Sequence, residues 1–107
     1  MKKIIAFVLA AVMCLSFASC SKAEDNENVL RVAMECSYAP YNWSQATDAN
    51  GAVPIVNNPG AYANGYDVMI AKKICQANGW ELEIMAIEWD GLTPALNAGT
   101  IDAVIAG

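Results

Sequence analysis

Residues 88–107, EWDGLTPALNAGTIDAVIAG, determine the predicted fold. The first half of this stretch predicts a short helix that Asp90 opens and Gly99 ends, with Pro94 in its first turn. Residues 101–106 then form an apolar run that only Asp102 interrupts, which is typical of a strand covered on both faces. Such strands belong to parallel sheets, so the chain must supply other strands to lie beside this one.

The preceding residues supply two such strands, at 29–34 and 82–87. Residues 42–64 are rich in Asn, Gly, Pro, Ala and Ser and predict a long loop with room for a short hairpin around 53–56. A helix is predicted to begin at Gly65–Asp67 and to stop at Asn78–Gly79. Asp67 and Asp90 are interpreted as helix caps. The order β-loop-α-β-α-β predicts an α/β fold with a parallel sheet.

The first 28 residues have the features of an export segment. Two lysines precede an apolar run at 4–13, and small residues lead to Cys20, which predicts a signal peptide over 1–19. Phe17-Ala18-Ser19-Cys20 resembles the lipobox of bacterial lipoproteins, although the family's leucine is Phe17 here. We therefore expect a lipidated Cys20, a flexible tether over 20–28 and a folded part over 29–107. The alternatives are a retained anchor helix, or ordinary cleavage that leaves a free Cys20.

The composition argues against several classes of function. The net charge is −5, with eleven acidic residues, six basic residues and no histidine. An acidic chain without basic clusters is a poor match for nucleic acid, and the absence of histidine removes the commonest general base and metal ligand. Cys36 and Cys75 lack metal-ligand spacing and are expected to be buried free thiols, with a disulfide as the alternative. No metal site and no cofactor are predicted.

Residues with binding chemistry follow each predicted strand. They are Glu35, Tyr38, Tyr41 and Trp43 after the first strand, Trp89 and Asp90 after the second, and Ala106 and Gly107 after the third. Because the carboxyl ends of parallel strands meet at one edge, these residues should converge there. An acid, several aromatic rings and exposed backbone groups suit a small ligand with an apolar part and a cationic amine. The alternative is that the tyrosines and Trp43 cover the sheet edge and that Trp89 covers the core.

Three blocks of sequence resemble a known family. LRVAMECSYAPYNW (30–43), GYDVMIAKKI (65–74) and EWDGLTPALNAGTIDAVIAG (88–107) resemble the extracellular solute-binding proteins, family 3, of bacterial polar amino acid ABC transporters. The resemblance implies a periplasmic-binding-protein-like fold of type II, in which an amino acid lies in a cleft between two lobes. Residues 29–107 would form the first half of lobe 1. The chain is accordingly expected to be an N-terminal fragment that lacks half of the cleft and does not bind usefully by itself.

The resemblance also implies partners and residue roles. Glu35 would meet the ligand's amine, Tyr38 would pack over its side chain, Tyr41 and Trp43 would border the pocket, Trp89 would line it, and Ala106 and Gly107 would supply backbone contacts. The implied role is a non-enzymatic receptor that passes an amino acid to the permease subunits of an ABC importer. It would be held by a lipid anchor on the outer face of the cytoplasmic membrane, or be periplasmic. An exported dehydratase-like enzyme and a sensor input domain are the alternatives on this fold.

Overall fold

The computed structural model describes residues 28–107, and the predicted signal peptide and Cys20 lie outside that range. None of the helices within it is both long and apolar enough to cross a bilayer. In chain order the elements are β1 (Val29–Met34), β2 (Ser37–Tyr38), β3 (Asn42–Gln45), a 3-10 turn (Ala49–Gly51), β4 (Val53–Pro54), β5 (Tyr62–Asn64), α1 (Tyr66–Asn78), β6 (Glu81–Ala86), α2 (Trp89–Asn97) and β7 (Ala103–Val104).

The main sheet has three parallel strands in the order β6-β1-β7. β1 pairs with β6 along its whole length, from Val29 opposite Glu81 to Met34 opposite Ala86. β7 pairs on the other side of β1, with Val32 opposite Ala103. The predicted α/β class with a parallel sheet is therefore confirmed, and the first strand in the chain is the central one.

The two faces of this sheet carry separate apolar clusters. Val32 and Met34 point to one face, where they pack with Ile84 of β6 and with the α1 residues Val68 and Ala71. Ala33 points to the other face and packs with Leu92 of α2 and with Ile101. Because side chains alternate along a strand, β1 contributes to both clusters and is covered by a helix on each side.

The prediction that residues 101–106 form a strand buried on both faces is wrong. Regular pairing covers only Ala103–Val104, and the backbone N–H groups of Asp102 and Ile105 extend the contact to β1 by one residue at each end. Val104 is 37 % exposed because β7 is an edge strand of the described sheet. The fully covered part of the sheet is the second half of β1, in which Val32, Ala33 and Met34 are all inaccessible to solvent.

The predicted long loop over 42–64 is also wrong, because these residues supply three of the four strands of a second sheet. It is antiparallel, with the order β2-β3-β5-β4, and Trp43 lies opposite Asn64. After β4 the chain runs along the outer edge of β6, where the Val56 N–H donates to the Ile84 carbonyl at 2.9 Å. The Asn57 side chain then bonds both backbone groups of Ala86, at 2.8 and 2.9 Å, and substitutes for a strand residue.

The predicted ends of the two helices agree with the structure better than the predicted starts do. α1 stops at Gly79, whose φ of 69° is left-handed, and α2 stops before Gly99 at φ 75°, as predicted. α2 begins at Trp89, one residue before the predicted Asp90. Glu88 is the last residue before it with an extended backbone. Pro94 consequently lies in the second turn rather than the first. No side-chain cap is formed at the start of either helix.

Candidate functional site

The carboxyl ends of the three parallel strands meet at one edge of the sheet, as expected. The Ile87 N–H donates to the Met34 carbonyl at 3.0 Å, and the Ile105 N–H donates to the Ala33 carbonyl at 3.2 Å, so the strands are still in line as they end. We call the residues that follow them the carboxyl-end rim: Glu35 after β1, residues 88–90 after β6, and Ala106 and Gly107 after β7. In open α/β sheets this edge is where ligands bind.

A turn over residues 38–41, the tyrosine turn, lies against this rim. It joins β2 to β3, and the Tyr41 N–H donates to the Tyr38 carbonyl at 3.0 Å. The two tyrosine rings stack with centroids 5.2 Å apart and planes 24° apart. Gly107 approaches them so closely that a Cβ on it would lie 2.9 Å from a ring carbon of Tyr38. The structure therefore brings Tyr38, Tyr41 and Gly107 together, as the sequence predicts.

Asp67 joins the tyrosine turn to the rim, and it is not the helix cap that the sequence predicts. The first N–H groups of α1 are taken by carbonyls of the turn: Tyr66 N–H donates to Pro40 at 3.2 Å and Asp67 N–H to Tyr41 at 2.8 Å. The Asp67 carboxylate is 4 % exposed, and one of its oxygens accepts from Asn42 Nδ2 at 2.9 Å and from the Gly107 N–H at 2.8 Å. Because these backbone groups already have acceptors, the Asp67 side chain does not cap α1. It connects α1 with the start of β3 and with Gly107 instead.

Asn42 is a residue of this arrangement that the sequence did not single out. Its side chain is fully buried, and besides donating to Asp67 it accepts from the Cys36 N–H at 2.7 Å. One amide thus fixes the start of the β2–β3 hairpin and the acid on α1 at once. An asparagine within an Asn-rich segment carries no signal that would distinguish it from a turn residue.

Glu35 precedes the β2–β3 hairpin, and Trp43 lies within it. Glu35 follows β1 directly and is half-buried at the rim. Trp43 lies on β3 opposite Ser37, and its indole N–H donates to Gln45 Oε1 at 3.1 Å. The polar end of Trp43 is therefore occupied within its own hairpin, which leaves the ring as a possible apolar contact.

Trp89 and Ala106 border a groove on the α2 side of the rim. The groove has a volume of ≈ 330 Å³ and is lined by Trp89, Leu92, Thr93, Val104 and Ala106. Trp89 is 64 % exposed, which rules out the alternative that it covers the core. The structure thus brings Tyr38, Tyr41 and Gly107 together in one group and Trp89 and Ala106 in a second, and it gives Glu35 and Trp43 no contact with either group.

Charge is distributed unevenly over residues 28–107. The rim contains Glu35, Glu88 and Asp90, and the buried Asp67 lies behind it. The bases of this part of the chain are elsewhere: Arg31 contacts Glu83 at 3.5 Å on β1 and β6, and Lys72 donates to the Gly51 carbonyl, with Lys73 beside it on α1. A rim with acids and no base favours a ligand that carries positive charge.

The two cysteines of residues 28–107 are buried free thiols, in agreement with the sequence. Burial raises the pKa of the Cys36 thiol to about 11 and also raises the pKa of Cys75. A raised pKa keeps both thiols protonated at neutral pH, where they are weak nucleophiles. Within the same range, no group of three or more His, Cys, Asp or Glu residues could hold a metal ion.

The chain is similar to proteins of one family. Residues 30–107 match the family model of bacterial extracellular solute-binding proteins, family 3. Over 92 % of the chain it is 28 % identical to an octopine-binding periplasmic protein of Rhizobium meliloti, and over 100 % it is 30 % identical to a probable histidine-binding protein of Neisseria gonorrhoeae. It spans only 29 % and 38 % of their lengths.

The fold is also similar to that of solved members. The arginine-bound form of domain 1 from TmArgBP superposes with a TM-score of 0.58 and 32 % identity, covering 76 % of this chain and 54 % of that chain. The family and the periplasmic-binding-protein-like fold class that the sequence resemblance implied are both confirmed. The chain belongs to the bacterial extracellular solute-binding proteins, family 3.

Proposed function

We propose that this chain forms part of the substrate-binding component of an amino acid ABC importer, which captures a polar amino acid outside the cell and delivers it to the permease. The family membership supports a solute-binding rather than an enzymatic role. The chain spans about a third of its curated relatives' length. We assign the activity to the whole protein, and residues 29–107 to the first part of its lobe 1.

The observation that carries the proposal is the base-free, acidic and aromatic rim. Negative charge in a partly enclosed site attracts a cation, and the faces of aromatic rings add a cation–π contribution. Similar proteins are named for octopine, histidine and arginine. We therefore propose an amino acid with a basic side chain as the ligand.

Each predicted site residue keeps a role in this proposal. Glu35 meets the ligand's positive charge, and the ring of Tyr38 packs over its side chain. Tyr41 and the ring of Trp43 border the pocket, Trp89 lines it across the groove, and Ala106 and Gly107 offer backbone groups at the end of β7. The stacking of the two tyrosines and the close packing of Gly107 support this, since they hold the ring of Tyr38 against the rim.

Attachment to the cell envelope is part of the same proposal. Residues 1–19 act as the signal peptide, a lipidated Cys20 holds the protein on the membrane, and residues 20–28 are the tether. Metabolic labelling with a radioactive fatty acid tests this assignment. Label should appear in the wild-type protein and be absent from a Cys20→Ala variant, and an unlabelled wild type would exclude the lipid anchor.

Calorimetric titration of the full-length protein tests the ligand. Arginine, lysine and histidine should bind, while glutamate should give no heat. A Glu35→Gln variant should bind arginine about tenfold more weakly, the effect of losing one charge-assisted contact. Glu81→Gln is the matched control, because Glu81 lies at the opposite, amino-terminal end of the sheet and its loss should leave the affinity unchanged. Failure of every amino acid to bind, or a preference for glutamate, would refute the proposal.

A further inference from the structure

The Asp67 carboxylate is a buried acid whose two hydrogen-bond donors come from distant parts of residues 28–107. A carboxylate with little solvent must be stabilised by hydrogen bonds, and Asp67 receives two of them at one oxygen. One donor belongs to Asn42 at the start of β3, and the other is the backbone N–H of Gly107, which lies 40 residues after Asp67. The acid therefore connects the tyrosine turn with the end of β7.

A backbone hydrogen bond fixes the acid itself to the turn. The Asp67 N–H donates to the Tyr41 carbonyl at 2.8 Å, so the first turn of α1 cannot move without the tyrosines. Gly65 makes this approach possible, since a Cβ at that position would lie 2.8 Å from the Tyr41 carbonyl carbon and 3.0 Å from the Asn42 Cα. The turn and the helix start thus behave as one unit, and the carboxylate is the part of that unit that reaches β7.

We infer that Asp67 is a positioning residue of the proposed ligand site: it holds the backbone of Ala106 and Gly107 at a fixed distance from the ring of Tyr38. The inference rests on the proposed function for its ligand readout. The hydrogen bond to Gly107 draws the end of β7 toward the turn, and the close packing of Gly107 on the Tyr38 ring sets how near it comes. Asp67 would thereby act on the ligand only through these neighbours.

Exchanging the side chains of Asn42 and Asp67 distinguishes the positioning role of Asp67 from a contribution to stability alone. In an Asn42→Asp/Asp67→Asn double variant, the new carboxylate at position 42 can still accept from the Cys36 N–H and from the new amide at position 67. That amide must then present its nitrogen to the carboxylate, so the Gly107 N–H loses its acceptor. The exchange should restore most of the melting temperature that the Asn42→Ala variant loses, but it should not restore the Gly107 contact.

The experiment uses the full-length protein and three readouts: melting temperature, hydrogen exchange at the Gly107 amide without ligand, and arginine affinity. In the double variant we expect near-wild-type melting, Gly107 exchange faster by about tenfold and arginine binding weaker by about tenfold, the effect of one hydrogen bond to a charged acceptor. Asp102→Ala is the matched control, because alanine removes the acceptor altogether. Asp102 also accepts from a backbone N–H, that of Arg31 at 2.9 Å, but at the amino-terminal end of the sheet. It should speed exchange at Arg31 and leave Gly107 and the affinity unchanged.

Two single variants decide the question if the double variant does not fold. Asn42→Ala and Asp67→Ala both break the side-chain pair, but only the second removes the acceptor of Gly107. Faster Gly107 exchange in Asp67→Ala alone supports the inference. Wild-type exchange at Gly107 in the double variant, or equal exchange in the two single variants, overturns it. A wild-type protein that binds no amino acid refutes the proposed function instead, and the Gly107 exchange rates still decide whether Asp67 positions this strand.

Discussion

Replacing Gly65 by alanine should weaken the fold more than the same substitution at Gly79. Gly65 precedes α1 with φ 122° and ψ −176°, a conformation that residues with a side chain essentially never adopt. It also lies against the tyrosine turn, where a new Cβ would overlap the Tyr41 carbonyl group. The substitution therefore introduces both backbone strain and a clash with backbone atoms that cannot rotate away.

The strain and the clash each have a rough magnitude. A non-glycine residue in this backbone region costs about 1–3 kcal/mol. Forcing a methyl group into a filled space costs about 1–3 kcal/mol more, and here it also separates the Asp67 N–H from the Tyr41 carbonyl. We expect the free energy of unfolding to fall by about 3–5 kcal/mol, which is a large part of the about 5–15 kcal/mol that holds a typical protein folded.

Gly79→Ala separates the clash from the strain. Gly79 is left-handed at φ 69°, but nothing lies within 4 Å of the position its Cβ would take. That variant should therefore lose only about 1–2 kcal/mol. The measurement is urea unfolding of both full-length variants, followed by tryptophan fluorescence and extrapolated to water. Equal losses in the two variants would show that the close approach of Gly65 to the turn imposes no constraint.

Three further results follow from the structure. Asn57→Ala should lower the free energy of unfolding by about 1–2 kcal/mol in urea, because two hydrogen bonds to Ala86 are lost, and an unchanged midpoint would contradict it. Leu92→Ala should cost about 2–5 kcal/mol in the same assay and the more exposed Leu96→Ala much less; similar losses would place Leu92 outside the core. Burial raises the pKa of Cys36 to about 11 in the folded protein, against an ordinary value of 9.0 in the unfolded chain. Between these values only the unfolded chain loses the proton, so the free energy of unfolding should fall as the pH rises from 9 to 11. Cys36→Ala should flatten that decline in the melting temperature, and an equally steep decline in the variant would show that the thiol does not cause it.

The long elements of this fold could be predicted from the sequence because each has a strong local signal. β1 is a six-residue strand that is apolar apart from Arg31, and α1 ends at an Asn-Gly pair whose glycine is left-handed. The second sheet could not be predicted, since its strands are two to four residues long and too short to show a clear alternation. β4 also contacts β6 and β3 contacts α1, and these contacts join segments that are separated in the sequence.

The candidate site divides in the same way. The sequence could place residues at the ends of strands, and that is enough to bring Tyr38, Tyr41 and Gly107 to one edge. It could not assign Asp67, because an acid in the first turn of a helix is usually a cap. Here the carbonyls of Pro40 and Tyr41 already satisfy the helix start, which frees the carboxylate for Gly107. Only the three-dimensional structure shows that competition.

The central position of β1 affects the order in which the protein can fold. β1 is the first strand of residues 28–107 to be synthesised, yet Val29 pairs with Glu81 and Val32 with Ala103, about 50 and 70 residues later. Loops of that length make pairing slow, so the apolar strand remains without partners while most of the described chain is produced. An unpaired apolar strand is prone to aggregation. Residues 29–34 are therefore most prone to aggregation before β6 and β7 are available to pair with them.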